Sequence, residues 1–403
     1  MARLNISFKD TNPPVLIPSS KQLMLLTIWL FIVGQAWATP EFSRRYQVNC
    51  NTCHTVAPKL NERGMDFWAR GYRPDPNLNM EEVDTVALSV WLTQYQDRRL
   101  SKDVNNNYFG KVELIAGGTI DENWNYFIEW RPVSLETRAD GTLRDRSGRF
   151  EDLQFSRKIG DRWSMTIGQY RPLFQVDGGR KLSVSTNVLY DLALAGDKSK
   201  NSRISSLRDF STNGRSPGIS FSYQSIQGDL SSDGLFHTVT LPFPGEISIP
   251  LTTLAQNEAS FAFEPTPKGV VMETYYRKGL NSIGAHAFVD HNRWLATMVG
   301  EYHVDDLYFT AGLGFDDRTD DRSSMRVRSS LEIEYLPSML DDEYRPGVGF
   351  RLENVSHSGK PIILVPYVVL GSPNFEDFSS LLQLEYRAEQ GADRLRLDFS
   401  LFF

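Results

Sequence analysis

The chain has 403 residues, 40% of them hydrophobic and 12% aromatic, and its 50 acidic side chains against 43 basic ones give a net charge of -7. A pI near 5.5 excludes the basic footprint of a nucleic-acid-binding protein. No stretch beyond residue 38 approaches the roughly 20 apolar residues of a membrane-spanning helix, so a membrane crossing here has to be made by strands.

Near the start, Leu23 to Val33 is an apolar run preceded by Lys21 and followed by Ala36-Trp37-Ala38, a small-x-small box. This reads as a secretory signal peptide over 1–38, cleaved after Ala38, with Thr39 as the first mature residue. The run is too short to span a bilayer as a helix. Met1 to Ser20 is longer and more polar than an ordinary leader start, which leaves the true start codon open.

The next feature is Cys50-Asn51-Thr52-Cys53-His54, which holds the only two cysteines of the chain. It spells C-x-x-C-H, the attachment signature of a c-type haem. Two thiols three positions apart can bond the two vinyl groups of one porphyrin, and the adjacent imidazole of His54 then reaches the iron as axial ligand. A zinc site would want further Cys or His ligands nearby, and the next histidine is His237. A disulfide between Cys50 and Cys53 is the other alternative, and export to an oxidising compartment is compatible with either. The expectation is one covalently bound haem c held by Cys50, Cys53 and His54.

A second axial ligand would be Met65 or Met80, the methionines between the motif and the first strand, with Met65 preferred. Thioether ligation would raise the reduction potential, although methionine is also a common gap filler. His286, His291 and His303 stay open for the same role, as does five-coordinate iron. Residues Pro58 to Tyr72 read as a short helix that packs on the porphyrin or a wall, broken by Arg73-Pro74-Asp75-Pro76-Asn77. The segment 39–84 is thus expected to be a small haem domain, too short to bury a core without a covalent staple. Arg44 and Arg45 are candidates to neutralise haem propionates, or are plain solvated surface.

From about residue 85 the pattern changes to a period of two. Leu395, Leu397, Phe399, Leu401 and Phe403 alternate with Arg396, Asp398, Ser400 and Phe402; Leu382, Leu384 and Tyr386 alternate with Gln383, Glu385 and Arg387. Leu331, Ile333 and Tyr335 alternate with Glu332, Glu334 and Leu336, and Trp124, Tyr126, Ile128 and Trp130 with Asn125, Phe127, Glu129 and Arg131. One face suits lipid and the other a wet lumen, the mark of a transmembrane β-barrel. The fold class is therefore all-β: a porin-like antiparallel barrel over 85–403 with a small N-terminal α-helical haem plug. At roughly 20 residues per strand and connection, the barrel has about 16 strands. An even number brings both ends to the periplasmic side, which puts the haem at that mouth or inside the lumen. Asp177 to Ser216 reads as an extended polar loop. The acidic stretches Asp316 to Asp321 and Asp341 to Glu343 are solvated turns, or gather cations if they face outward.

Pro40 to Arg44, Cys50 to His54, Pro58 to Asn61, Gly64, Phe67 and Gly71-Tyr72 together resemble the N-terminus of the fused monohaem cytochrome-porin family of outer-membrane iron oxidases. The resemblance covers about 35 residues in detail and the rest only as architecture. It implies an electron conduit in the outer membrane of a Gram-negative bacterium. Extracellular Fe(II), or another donor, would give single electrons that pass to a periplasmic cytochrome c. Ile167 to Phe174 is also similar to strands of porins related to the phosphate-selective group. A porin gated by its haem segment and a haem peroxidase are the rival readings. Iron oxidation would be a one-electron transfer that needs no general acid, nucleophile or phosphate loop, so no catalytic side chain is assigned; for the peroxidase the chain offers no distal histidine close to the motif.

Overall fold

The computed structural model describes residues 41–48, 52–56, 59–73, 87–99, 102–137, 143–170, 182–183, 187–189, 216–224, 233–243, 245–249, 260–263, 266–267, 269–289, 294–316, 325–337, 345–356, 362–372, 379–388 and 392–402. The signal segment 1–38, Cys50, Met80, His291, Asp341 to Glu343, Phe403 and most of Asp177 to Ser216 lie outside them.

The N-terminal segment runs through α1 (Glu41–Arg45), β1 (His54–Val56), β2 (Lys59–Leu60) and α2 (Glu62–Ala69). Next come β3 (Ala87–Arg99), β4 (Lys102–Thr119), β5 (Trp124–Thr137), the short β6 (Leu143–Asp145), β7 (Arg149–Ile159) and β8 (Trp163–Tyr170). β9 (Ser216–Gln224) and β10 (Gly234–Pro242) precede a small hairpin of β11 (Gly245–Ser248) and β12 (Ser260–Phe263). The remaining strands are β13 (Val270–Lys278), β14 (Asn281–Val289), β15 (Trp294–Val304), β16 (Leu307–Asp316) and β17 (Arg326–Tyr335). β18 (Arg345–Val355), β19 (Ile363–Ser372), β20 (Ser379–Arg387) and β21 (Ala392–Phe402) complete the chain.

Leaving aside β1, β2, β6, β11 and β12, the described residues form a closed antiparallel barrel of 16 strands. β5 pairs directly with β7, β10 pairs with β13, and β21 closes on β3 from Ala392↔Arg99 to Phe402↔Ser89. Closure leaves no unpaired edge in hydrocarbon, where each orphaned backbone group would be expensive.

The strands sort by period as the sequence predicts. Leu331, Tyr335, Leu382, Leu384, Tyr386 and Leu395 are exposed on the outer face, while Glu332, Glu334, Gln383, Glu385, Arg387 and Asp398 are buried inside. A water-filled lumen would leave such inward charges wet. Here Arg328 and Arg351 are 0% exposed, Glu353 1% and Glu332 2%, so something covers this part of the wall.

Part of the cover comes from the long connection between β8 and β9. Leu182, Val188 and Leu189 are fully buried. Of the stretch read as an extended polar loop, residues 182–183 and 187–189 are described, and this strap lies in the lumen against β15 to β20. Val188 N donates to Glu353 (2.9 Å), Arg328 donates to Val188 O (2.9 Å), and Arg351 donates to Ser183 Oγ (2.6 Å). Gln383 donates to Leu182 O (3.0 Å) and Thr297 to Leu189 O (3.2 Å). Backbone groups outside helix and sheet have to be satisfied, and polar side chains of the wall satisfy those of Leu182, Val188 and Leu189 named here. Its apolar side chains meet β19, where Ile363, Val365, Tyr367 and Val369 line the lumen. β19 is apolar on both faces because both are covered, one by lipid and one by the strap.

The two mouths differ. At one end the connections are short: 120–123, 160–162, 279–280 and 305–306; at the other, 171–215 and 243–269 are long. In the first of these tight turns Asp121 Oδ1 accepts from Asn123 N and Trp124 N, both at 2.7 Å. The backbone hydrogen bond from Asn123, then that from Trp124, holds its carboxyl below the ordinary aspartate value. The strand ends joined by the acidic stretch Asp341 to Glu343 lie at this short-turn mouth. Asp316, at the end of β16, is buried and pairs with Arg326 (2.8 Å) and Arg328 (2.5 Å), so it is wall structure and not a free outward acid.

Candidate haem-attachment site

The segment that carries the motif docks inside the short-turn mouth. α1 is pinned to β4 and β5. Glu41 and Arg45 pair across one helical turn (3.1 Å), Gly117 N donates to Glu41 (3.4 Å), and Arg45 donates to the Tyr126 hydroxyl (3.1 Å). Arg45 is 2% exposed. That corrects the reading of solvated surface for Arg45, which is buried and paired with Glu41. Arg44's side chain lies outside the described residues. Phe42 sits within 4.7 to 5.7 Å of the Phe67, Tyr72 and Phe127 rings, a cluster that joins both helices to the wall. Gly117 makes room for it, since a Cβ there would stand 2.8 Å from the Phe42 ring.

After α1 the chain reaches the motif. Cys53 and His54 are described, and His54 opens a two-stranded hairpin in which it pairs with Leu60 and Val56 pairs with Lys59. The helix read over Pro58 to Tyr72 is therefore shorter: Lys59 and Leu60 are extended, and α2 starts at Glu62. Asn61 decides the boundary. Its Oδ1 caps the helix by accepting from Gly64 N (3.0 Å), its Nδ2 donates to Thr52 O (3.1 Å), and its backbone N donates to Cys53 O (2.9 Å). Asparagine is among the best N-caps because its short side chain reaches the orphan amides of the first turn. At the far end Gly71, with φ +67°, reverses the chain while its amide donates to Trp68 O (2.8 Å).

Gly64 lets the helix lie directly on the motif. A Cβ there would be 2.0 Å from the Cys53 carbonyl oxygen and 2.9 Å from its carbon, both backbone atoms. Gly64→Ala must therefore push α2 off the Cys53 turn. We expect covalent haem per barrel, measured by pyridine haemochrome, to fall several-fold while the barrel keeps its heat-modifiable gel mobility.

The hairpin is fixed to the opposite wall. Arg345 donates to Thr55 O (3.0 Å), the Thr55 and Tyr308 hydroxyls are 3.4 Å apart, and Lys59 Nζ lies 2.6 Å from Glu334 and 4.5 Å above the Tyr308 ring. Burial by itself would lower the Lys59 pKa; Glu334, Glu301 and Glu332 outweigh it and hold the ammonium above its ordinary value. α2 reaches the wall through Asp66, which accepts from Arg277 (2.7 Å). Met65 is 7% exposed and lines a small cavity with Leu60, Arg277, Leu280 and Tyr308. It faces the wall in the packing role open to any methionine. His303 lies at this mouth with its ring 4.3 Å from that of Tyr308, and His286 is buried on β14.

Of the three expected haem donors, Cys53 and His54 are described. Cys53 and His54 sit on a tight turn held by Asn61 and backed by a helix without a side chain in the way. Asn61, Gly64, Arg345 and Glu334 were not singled out as site residues by the sequence. The N-cap rule flags Asn61 and the missing Cβ flags Gly64, whereas nothing local flags Arg345 or Glu334.

A second charged cluster lies on β4, β5 and β7, where ligand oxygens of Glu113, Glu129 and Glu151 fall within 4.8 Å of one another. Two cations sit among them: Arg131 bonds Glu113 (2.8 Å) and pairs with Glu151, and Lys111 pairs with Glu113. That compensation makes it a structural part of the wall.

A closed barrel with an apolar exterior and a charged interior is built for lipid on its outside. This is an outer-membrane barrel of a Gram-negative bacterium. No protein-family model and no curated protein matches the chain. Among solved structures it is similar to an anion-selective porin from Comamonas acidovorans, at 9% identity over 80% of this chain and 100% of that one, with a TM-score of 0.49. It is also similar to OmpT of Vibrio cholerae (9% identity, 80% and 100% coverage, TM-score 0.45) and to the outer-membrane channel DcaP of Acinetobacter baumannii (11%, 79% and 97%, 0.44).

Proposed function

We propose that this barrel is an outer-membrane electron carrier whose N-terminal plug holds one haem c and which oxidises extracellular Fe(II), or another one-electron donor, for a periplasmic cytochrome c. The observation that carries the reading is the docking of the C-x-x-C-H segment inside the barrel mouth, through α1, the β1–β2 hairpin and α2. Barrels of this kind keep short turns on the periplasmic side, so the plug stands where a periplasmic acceptor can meet it.

Cys50 and Cys53 would hold the porphyrin and His54 the iron, with Met65 or a histidine such as His303 as candidates for a further iron ligand. When bound, the haem supplies a one-electron couple. The chain's own part is positional. Asn61 and Gly64 hold the attachment turn, Arg345 and Lys59 fix the hairpin to the wall, and the aromatic cluster around Phe42 excludes water on the other side. A ferrous ion losing one electron becomes ferric, so no proton or bond has to move at the protein, in keeping with the lack of an assigned acid or base.

The test is stopped-flow mixing of oxidised, detergent-held protein with ferrous iron at several pH values. Rapid appearance of reduced c-type bands is expected; failure with iron, when dithionite still reduces the sample, would overturn the iron reading.

A solute channel plugged by its N-terminal segment is the second reading, favoured by the closed barrel and its charged inner wall. Substantial ion conductance by the intact chain in a planar bilayer would decide for it.

A further inference from the structure

We propose that Glu334 is a joint that couples the plug to the strap, so that the strap from the long-connection mouth sets how the motif segment is held. The inference deepens the function proposed above and rests on it only for its redox readout. Glu334, on β17, is 2% exposed and divides its carboxylate between the two inserts. Oε2 takes the Lys59 ammonium at 2.6 Å, five positions beyond His54 and in the same hairpin. Oε1 accepts from Leu182 N of the strap (3.3 Å) and from the Tyr367 hydroxyl (3.0 Å).

The apolar packing repeats the connection. Val56 of the hairpin and Leu182 and Val188 of the strap belong to one buried cluster with Tyr308, Leu336 and Tyr367. Gly347 adds to the fit, since a Cβ there would stand 2.6 Å from Leu336 and 3.0 Å from Leu182. A buried carboxylate that loses one partner leaves a charge to be compensated elsewhere, so release of the plug is felt by the strap and the reverse. Interior packing passes such a displacement on because it holds little free volume. Glu334 is a positioning residue: it acts on the motif through Lys59.

The strap carries its own reporter. The Lys181–Leu182 bond is a trypsin site whose Leu182 is fully buried with its amide on Glu334. Limited trypsinolysis of the full chain in detergent, read by mass spectrometry at this bond, is compared for wild type, Lys59→Met, Lys59→Arg and Glu334→Gln. Lys59→Met removes a group the strap does not touch through any contact described above. We expect it to speed cleavage after Lys181 several-fold, with Lys59→Arg restoring protection. Glu334→Gln keeps an acceptor for Leu182 but loses the charge that holds Lys59, so it should open the Lys59–Leu60 bond first. Wild-type cleavage at Lys181 in a folded Lys59→Met protein would overturn the joint. If that variant fails to give a heat-modifiable barrel, wild-type protection of Lys59–Leu60 in Glu334→Gln overturns it instead.

The haem midpoint potential separates this inference from the proposed function. An uncompensated cation near the haem favours its reduced form and an uncompensated carboxylate opposes it, so Glu334→Gln should raise the potential and Lys59→Met lower it. Protein without haem that still loosens its strap in Lys59→Met would sink the carrier reading and keep the joint; haem present with the strap and potentials unmoved would sink the joint and keep the carrier.

Discussion

A chain with both Cys50 and Cys53 replaced by Ser is expected to reach the outer membrane as a barrel and to carry no covalent haem. The two thioether bonds are the only covalent tether the motif offers, and no other cysteine exists to replace them. Without them the plug would depend on its contacts with the wall, and a segment this small has little core of its own. Pyridine haemochrome and haem staining of the denatured band would read the loss. Reduction by ferrous iron should vanish with it, while the heat-modifiable mobility of the barrel remains. Covalent haem in the double variant would remove the basis of the proposed function.

The second large effect is expected on stability. Arg351 is fully buried, pairs with Glu353 (2.9 Å) and Glu332 (3.5 Å), and donates to Ser183 of the strap (2.6 Å). Removing one member of a buried charge network leaves the others uncompensated, at a cost of roughly 3–5 kcal/mol. Arg351→Met keeps much of the volume and loses the charge, so the midpoint of urea unfolding in lipid vesicles, followed by tryptophan fluorescence, should fall accordingly. Adding Glu332→Gln should recover part of the loss, because the amide oxygen can still accept from the Tyr367 hydroxyl (2.6 Å) while a stranded negative charge is gone; Glu353 keeps Arg387 (2.8 Å) in either case. If the single variant unfolds at the wild-type midpoint, the strap is not held by this network.

Both predictions bear on how the inside of the barrel is filled. Diffusion needs a wet lumen. On the β15 to β20 side the inward charges are instead satisfied by the strap, and at the short-turn mouth they are satisfied by the plug. Both inserts use the same device, charged side chains of the wall bonded to backbone groups of irregular chain, as in Arg345 to Thr55 O and Arg328 to Val188 O.

Local chemistry was legible in the sequence. The period of two sorted Leu382, Leu384 and Tyr386 from Gln383, Glu385 and Arg387, because side chains of a strand alternate faces whatever the strand pairs with. Length per strand led to about 16 strands, the number the barrel has. The motif stands out in the sequence because three groups able to hold a haem lie within five residues, and the haem itself belongs to the proposal. The shorter α2 was legible in principle: Asn61 is a strong N-cap, and the helix begins one residue after it.

Tertiary structure alone decided what the inward face meets. The sequence says that Glu334 points away from lipid, but Lys59 and Leu182 lie far from it along the chain, and neither carries a local mark of that pairing. β19 shows the same division. Its run from Ile363 to Leu370 is apolar on both faces, which a sequence can report but not explain, since strand, buried wall and lipid contact share that composition. The strap that covers it lies in a stretch polar by composition, and its Leu182 and Val188 become core only because barrel closure brings β19 opposite them. The alternation of faces is a property of neighbouring residues and survives in a string; the filling of a lumen is set by closure, which brings distant segments into one enclosed space.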